Sequence, residues 1–149
     1  MTSTQEALAA RIRYVETATE IAACYGLMRQ LRPHLGSASE FVERWSRQLS
    51  AGYRVIALWH EAAPVALVGF RIQENLARGR HLYVDDLVTD ETMRGKGNGH
   101  VLMERLKEEV RAQGCTTLVL DTPLTNTLGH RFYYRHGFLA TALRFTLTL

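Results

Sequence analysis

The chain has 149 residues, of which 46% are hydrophobic and 22% charged, and its formal net charge is +3 at neutral pH. This length predicts one domain spanning residues 1–149, and the composition excludes a disordered or fibrous protein. The 18 basic residues are dispersed among 15 acidic ones, which does not favour a nucleic-acid-binding surface.

The cysteines and the N-terminal segment indicate the compartment. Cys24 and Cys115 are the two cysteines, each among apolar neighbours and without a C-x-x-C pair, which predicts buried, reduced thiols. The first fifteen residues lack the cationic start and apolar run of a signal peptide. No apolar stretch approaches membrane-spanning length. We therefore expect a cytoplasmic protein without a membrane partner.

Hydrophobic periodicity divides the N-terminal half into elements. Residues 1–10 are predicted to form a loose leader or a frayed turn, and residues 11–15 a first strand. Apolar residues at helical spacing predict two helices, each preceded by a candidate capping box. The first covers residues 21–31, follows Thr17-x-x-Glu20 and ends at Pro33 and Gly36; the second covers residues 41–49, follows Ser37-x-x-Glu40 and stops at Gly52.

Strand and helix patterns alternate through the rest of the chain. Strands are predicted over residues 53–59, 65–72, 80–89 and 116–120, helices after Gly99 up to Gly114 and over residues 125–135, turns at 61–64 and 73–79, and one or two final strands over 138–149. Short connections favour antiparallel pairing, and strand–helix–strand alternation favours parallel pairing. The predicted fold is α/β (α+β), a mixed, mostly antiparallel central sheet with helices on both faces.

A glycine-rich elbow, Arg94-Gly95-Lys96-Gly97-Asn98-Gly99, leads from a predicted strand into an amphipathic helix. A helix start presents unpaired N–H groups and the positive end of its dipole, and glycines allow the backbone to approach a ligand closely. Two cations beside three glycines favour a phosphate or pyrophosphate site over a simple connecting turn. The spacing matches neither a P-loop nor the dinucleotide G-x-G-x-x-G motif.

Two motifs in register resemble one known family. The R-x-x-G-x-G spacing from Arg94 to Gly99 resembles the acetyl-coenzyme A pyrophosphate loop of the GNAT superfamily of N-acetyltransferases, and the preceding Asp86-Leu87-Val88-Thr89 resembles that family's fourth strand. Downstream, Asn126-x-x-Gly129-x-x-Phe132-Tyr133-x-x-x-Gly137-Phe138 resembles its N-x-x-A-x-x-[FL]-Y-x-x-x-G-F helix and turn, with Gly129 replacing alanine. The resemblance covers the C-terminal half.

The resemblance implies an N-acetyltransferase that moves the acetyl group of acetyl-coenzyme A to an amine without a covalent enzyme intermediate. It assigns the pantetheine arm and thioester to the backbone of Leu87, Val88 and Thr89, the oxyanion to the N–H of Val88 or Thr89, and a pantetheine hydrogen bond to Asn126. Arg131 or Arg135 could meet the ribose phosphate. The pyrophosphate site comprises Arg94, Gly95, Lys96, Gly97, Asn98, Gly99 and His100.

Proton transfer needs an acid and a base. Tyr133 occupies the family's proton-donor position, and Tyr134 is assigned to structure or surface. Candidate bases are Asp121, at the end of the fifth strand, and Asp85 and Asp86 on the fourth. Neighbouring side chains on a strand point to opposite faces, so at most one of Asp85 and Asp86 should face a substrate easily. Each carboxylate could instead bond backbone groups at a strand end.

Two other functions remain open. The family's glutamate base is missing, which suits a non-catalytic acyl-coenzyme A binding module. The mild basic charge suits an acetyltransferase acting on a protein or aminoacyl-tRNA amine. No histidine pair has H-x-x-x-H spacing, so we expect no metal. His34 falls where relatives line the acceptor pocket, and residues 143–149 could pair across a homodimer.

Overall fold

A computed structural model describes residues 3–149 of the chain. These residues divide into two units, one ending at Val119 and the other running from Leu120 to Leu149. Each unit is described in turn. None of the helices in the described part of the chain is long and apolar enough to cross a membrane.

The larger unit is built on an antiparallel meander. β1 pairs with β2, β2 with β3 and β3 with β4, each time antiparallel. This confirms the mostly antiparallel sheet predicted from the sequence. In sheet order, the strands are β1 (Ile12–Tyr14), β2 (Arg54–His60), β3 (Ala63–Asn75), β4 (Gly79–Thr89) and the short β5 (Leu118–Leu120).

Helices cover both faces of this sheet, as predicted. They are α1 (Ser3–Ala9), α2 (Ala18–Ala23), α3 (Tyr25–Leu31), α4 (Ala38–Leu49) and α5 (Asn98–Ala112). Val55 and Ala57 of β2 share a core cluster with residues of α2, α3 and α4. Ile56 and Leu58 are fully buried but lie outside that cluster, and α5 packs on β2, β3 and β4. Alternate residues of β2 therefore pack into two different hydrophobic cores, one on each face of the sheet.

Local capping explains where the helices begin. The Thr17 side chain accepts a hydrogen bond from the Glu20 N–H at 3.1 Å, and the Glu20 carboxylate accepts one from the Thr17 N–H at 3.2 Å. This is the predicted capping box. At α4, Ser37 accepts from the Glu40 N–H at 3.1 Å, whereas the Glu40 carboxylate accepts from the Gly36 N–H at 2.8 Å. The N-cap of α4 therefore lacks the second hydrogen bond of a capping box, because the Glu40 carboxylate bonds the N–H of Gly36 instead of that of Ser37.

Two predictions for the N-terminal half are wrong in detail. Residues 3–9, predicted as a loose leader or frayed turn, form α1, because this stretch is rich in strong helix formers and packs against α5. The predicted helix over residues 21–31 is two helices that meet at Cys24. Burial raises the pKa of the Cys24 thiol to about 12, consistent with an inert core residue.

The hairpin between β3 and β4 is longer than predicted. Gln73, Glu74 and Asn75, assigned to a turn from their polarity, continue the ladder and pair with His81, Arg80 and Gly79. Backbone hydrogen bonds carry this pairing, so it needs no apolar side chains. The turn shrinks to residues 76–78, and Gly79 leaves it at φ +66°.

The smaller unit contains one helix and an irregular tail. Helix α6 (Thr127–Arg135) is capped by Asn126, whose side chain accepts from the Gly129 N–H at 3.1 Å, and the chain leaves the helix through Gly137 at φ +87°. Residues 138–149 have no regular secondary structure, so the predicted final strands are wrong. A strand needs a partner for its backbone groups, and no described segment pairs with these residues.

Candidate active site

Strand β4 carries a bulge beside its two adjacent aspartates. Gly69 of β3 pairs with Asp86, whereas the next residue, Phe70, pairs with Val84, so Asp85 is the extra residue. A bulge breaks the regular alternation of side chains. Asp85 and Asp86 therefore both line one cavity, where simple alternation predicts one of them.

Each of these carboxylates is held by an arginine. Asp85 accepts two hydrogen bonds from the Arg71 guanidinium, at 2.8 and 2.6 Å. Asp86 accepts one from Arg32 Nε at 2.9 Å, and Arg32 Nη2 also donates to the Asp85 carbonyl oxygen at 2.8 Å. The bidentate pair with Arg71 fixes the Asp85 carboxylate at both oxygens. Only one oxygen of Asp86 accepts a hydrogen bond from its arginine.

The other oxygen of Asp86 is held by Tyr53, a residue that the sequence analysis did not single out. The Tyr53 hydroxyl donates to Asp86 Oδ2 at 2.7 Å, and the whole residue is only 3% exposed. Burial, followed by the negative charge of Asp86, raises the pKa of Tyr53 well above its ordinary value. The hydroxyl therefore stays protonated and continues to donate at physiological pH.

Tyr53 reaches Asp86 because Gly69 has no side chain. A Cβ at Gly69 would lie 2.0 Å from the Tyr53 hydroxyl oxygen and 2.5 Å from Tyr53 Cζ. The tyrosine therefore occupies the space above the strand that any other residue would fill. A glycine within a strand often marks a place where another group approaches the backbone closely, but the sequence does not identify that group as Tyr53.

A row of aromatic rings sets the position of Tyr53. Its ring meets Trp45 of α4 edge to face, with centroids 5.9 Å apart and planes at 85°. Trp45 meets Phe41 in the same way, at 5.8 Å and 73°. Phe41 contacts Tyr25 of α3 at 6.3 Å. Edge-to-face contacts favour defined ring orientations, so α3 and α4 are fixed against the sheet at the level of Asp86.

A cavity of about 360 Å³ lies beside this row. Its volume falls within the range of small-molecule sites, roughly 300–1,000 Å³. His34, expected near an acceptor pocket, does line it. The other lining residues that matter here are Arg32, Arg44, Trp45, Tyr53 and Asp86.

Beyond Asp86, the end of β4 presents unpaired backbone. Strand β5 meets β4 at Leu82, whose N–H donates to the Thr117 carbonyl oxygen at 3.0 Å. Because β5 is only three residues long, its ladder cannot reach Leu87–Thr89 in either direction. Asp90 donates to the Val65 carbonyl oxygen, so the next hydrogen-bonded pair of the β3 ladder is Val88 with Leu67. The backbone N–H and C=O groups of Leu87 and Thr89 face the other side, where the described strands leave them available to a ligand.

The glycine elbow has a left-handed backbone at two of its three glycines. Gly95 and Gly97 have φ values of +79° and +81°, and Gly97 caps α5 without a side-chain hydrogen bond. Arg94 and Lys96 are exposed. Asn98 is buried, and its Nδ2 donates to the Met93 carbonyl oxygen at 3.3 Å, so this side chain supports the loop from within.

The remaining candidates lie in the smaller unit, and two of them have partners there. Asp121 forms an ion pair with Arg144. The Asn126 amide caps α6 and donates to Thr122 at 3.0 Å. A Cβ at Gly129 would lie 2.3 Å from Asn126 Nδ2, so the Asn126 side chain occupies space that an alanine at this position would need.

Tyr133 lies half-buried between two phenylalanines. The rings of Phe132 and Phe138 are each 5.6 Å from it, centroid to centroid. Burial raises the pKa of Tyr133 above its ordinary value. Tyr134, assigned to structure or surface, is 58% exposed, and Arg131 and Arg135 are exposed.

Known proteins resemble this chain in sequence and in structure. The family model described as the acetyltransferase (GNAT) family matches residues 15–138. The uncharacterized N-acetyltransferase YhdJ of Bacillus subtilis is 31% identical over 119 residues, which cover 76% of this chain and 80% of YhdJ. Glucosamine 6-phosphate N-acetyltransferase 1 of Oryza sativa subsp. japonica is 31% identical over 138 residues, covering 87% and 81%. An acetyltransferase structure from Trypanosoma brucei matches with a TM-score of 0.76 at 25% identity, over 93% of this chain and 98% of that one.

The contact between Gly69 and Tyr53 can be tested by Gly69→Ala. The added methyl group would displace Tyr53 and break its hydrogen bond to Asp86. We expect the free energy of unfolding to fall by about 1–3 kcal/mol in denaturant titrations. The matched control is Gly26→Ala in α3, where nothing lies within 4 Å and a small stabilisation is expected. A Gly69→Ala protein as stable as wild type would contradict this account.

Proposed function

Because residues 15–138 match its family model, the chain belongs to the acetyltransferase (GNAT) family, and we propose that it transfers the acetyl group of acetyl-coenzyme A to a primary amine. The amine attacks directly in a ternary complex. The observation that carries this proposal is the order of features along β4. Asp86 at the cavity is followed at once by the open backbone of Leu87 and Thr89 and then by the glycine elbow.

The elbow holds the pyrophosphate of the cofactor in this proposal. Left-handed Gly95 and Gly97 place the backbone where no Cβ interferes, and the first N–H groups of the fifteen-residue helix α5 follow. Exposed Arg94 and Lys96 add positive charge. Backbone contacts from residues 95–100 would therefore carry most of the recognition.

The end of β4 holds the thioester. The outward-facing backbone of Leu87 and Thr89 supports a strand-like contact with the pantetheine arm. Of the two N–H groups expected from the sequence, that of Thr89 faces away from β3, and in this proposal it stabilises the oxyanion that develops on the thioester carbonyl. Such a donor typically contributes roughly 3 kcal/mol to the transition state.

Asp86 is the carboxylate best placed to accept the amine proton, directly or through a water molecule. It lines the cavity and shares only one oxygen with an arginine. The second oxygen of Asp86 is held by the neutral Tyr53 hydroxyl, whereas both oxygens of Asp85 are held by the charged Arg71 guanidinium, which makes Asp85 less suited. Asp121 is paired with Arg144. Tyr133 donates a proton to the departing thiolate, and its raised pKa keeps it protonated until then.

A non-catalytic acyl-coenzyme A binding module is the second candidate. One observation favours it: Asp85, Asp86 and Asp121 each form an ion pair, so each candidate base is already engaged by an arginine. The size of the cavity and the name of the rice relative both support a small amine acceptor over a protein or aminoacyl-tRNA.

Thiol release separates these two functions. The purified protein is incubated with acetyl-coenzyme A and a panel of primary amines that includes glucosamine 6-phosphate. We expect free coenzyme A thiol to appear in step with the acetylated amine. Cofactor binding without thiol release for any amine would identify the binding module instead.

The role of Tyr133 can be tested by Tyr133→Phe. Removing the hydroxyl should lower kcat by about a hundredfold, because the thiolate then leaves without a proton donor. The dissociation constant for acetyl-coenzyme A should not change. Tyr134→Phe is the matched control, since its exposed hydroxyl has no assigned role and the activity should stay at the wild-type level. Equal activity of the two variants would remove Tyr133 from the mechanism.

A further inference from the structure

The two walls of the cavity beside Asp86 carry different chemistry. We propose, on the basis of the acetyl transfer proposed above, that the acceptor is a small primary amine that also carries an oxyanion, either carboxylate or phosphate. The amine lies at Asp86, and the oxyanion lies at Arg44 and Gln48 of α4.

The β4 wall is the acidic one. Asp85 and Asp86 are the two carboxylates that line the cavity within the described chain, and they are neighbours on β4. Asp86 is positioned by Arg32 and Tyr53, so its carboxylate has a defined orientation towards an incoming amine. A primary amine therefore has one place to bind.

The α4 wall offers donors. Arg44 and Gln48 line the cavity from this helix. The guanidinium of Arg44 meets Glu40 at 3.1 Å, in an i,i+4 pair whose side chains are 45% and 36% exposed. Such exposed pairs contribute little to stability, and a guanidinium has five N–H donors. Arg44 thus retains donors for an oxyanion in the cavity.

Gln48 supplies further donors. It lines the cavity and follows Arg44 by four residues, so the two side chains lie on the same face of α4. Its amide carries two N–H donors, which a carboxylate or phosphate can accept.

These walls discriminate between classes of amine. A diamine or polyamine would place its second ammonium against the Arg44 guanidinium, which repels it. A carboxylate or phosphate accepts hydrogen bonds from both Arg44 and Gln48. The cavity volume of about 360 Å³ limits the acceptor to a small molecule.

Matched amines test the proposal through binding. The panel is a series of ω-amino carboxylates, each with the diamine and the amino alcohol of the same length, together with phosphoethanolamine against ethanolamine. Calorimetry with the coenzyme A-loaded protein measures affinity, and thiol release measures kcat/KM. At the best-fitting length we expect the anion-bearing amine to bind about tenfold or more tightly than its diamine. Comparing the ω-amino carboxylates with phosphoethanolamine identifies whether the cavity prefers a carboxylate or a phosphate.

Two arginine variants locate the anion site. Arg44→Gln should weaken binding of the anion-bearing amine by about tenfold and remove most of its advantage over the diamine. Arg47→Gln is the control, because Arg47 makes the same i,i+4 contact of 3.1 Å with Glu43 on α4 but does not line the cavity. It should bind both amines as wild type does.

The outcomes separate this proposal from the proposed function. Equal or tighter binding of the diamine, no binding of any anion-bearing amine, or identical behaviour of the two variants would overturn the acceptor class. Arg44-dependent binding of the anion-bearing amine without thiol release would support the acceptor class and overturn acetyl transfer. Thiol release that prefers diamines would support acetyl transfer and overturn the acceptor class.

Discussion

The hydrogen bond from the Tyr53 hydroxyl to Asp86 joins the helices, the sheet and the cavity at one point. Trp45 packs against the edge of the tyrosine, and Gly69 provides the space in which it lies. Because the hydroxyl engages one oxygen of Asp86 and Arg32 the other, the carboxylate is oriented before any ligand binds. Groups fixed in advance need little reorganisation during a reaction. Burial of Tyr53 keeps this donor protonated over the physiological pH range.

Strand β4 divides the site into two kinds of recognition. Downstream of Asp86, the features assigned to the cofactor are backbone features, namely the open end of the strand, two left-handed glycines and the start of α5. Upstream and across the cavity, the features assigned to the acceptor are side chains of α3, α4 and their connecting turn. A change of acceptor therefore requires changes of side chains on those helices, whereas the cofactor site proposed here depends on the course of the chain itself.

This division also explains what the sequence could predict. The position of the elbow between a strand and a helix, the capping box at Thr17 and the antiparallel strands depend on local patterns, and the structure confirms them. The contact of Tyr53 with Gly69 and Asp86 joins three different strands or strand ends, and no local pattern records it. The bulge at Asp85 shifts the register between β3 and β4. Register is predicted from the alternation of apolar residues, and the two polar residues at the bulge give no such alternation. The final strands were wrongly predicted from alternation alone, because a strand also requires a pairing partner.

The most direct test of the account is a thermal melt with acetyl-coenzyme A, with ATP and NAD as controls. A ligand at a hundred times its dissociation constant adds about 2.7 kcal/mol of stability, which a melt resolves. The variant Gly97→Ala alters the elbow, and Gly52→Ala imposes comparable backbone strain at φ +90° in the turn before β2. The account predicts a shift with acetyl-coenzyme A alone, retained in Gly52→Ala and reduced in Gly97→Ala. No shift in the wild-type protein, or an equal shift with ATP or NAD, would contradict it.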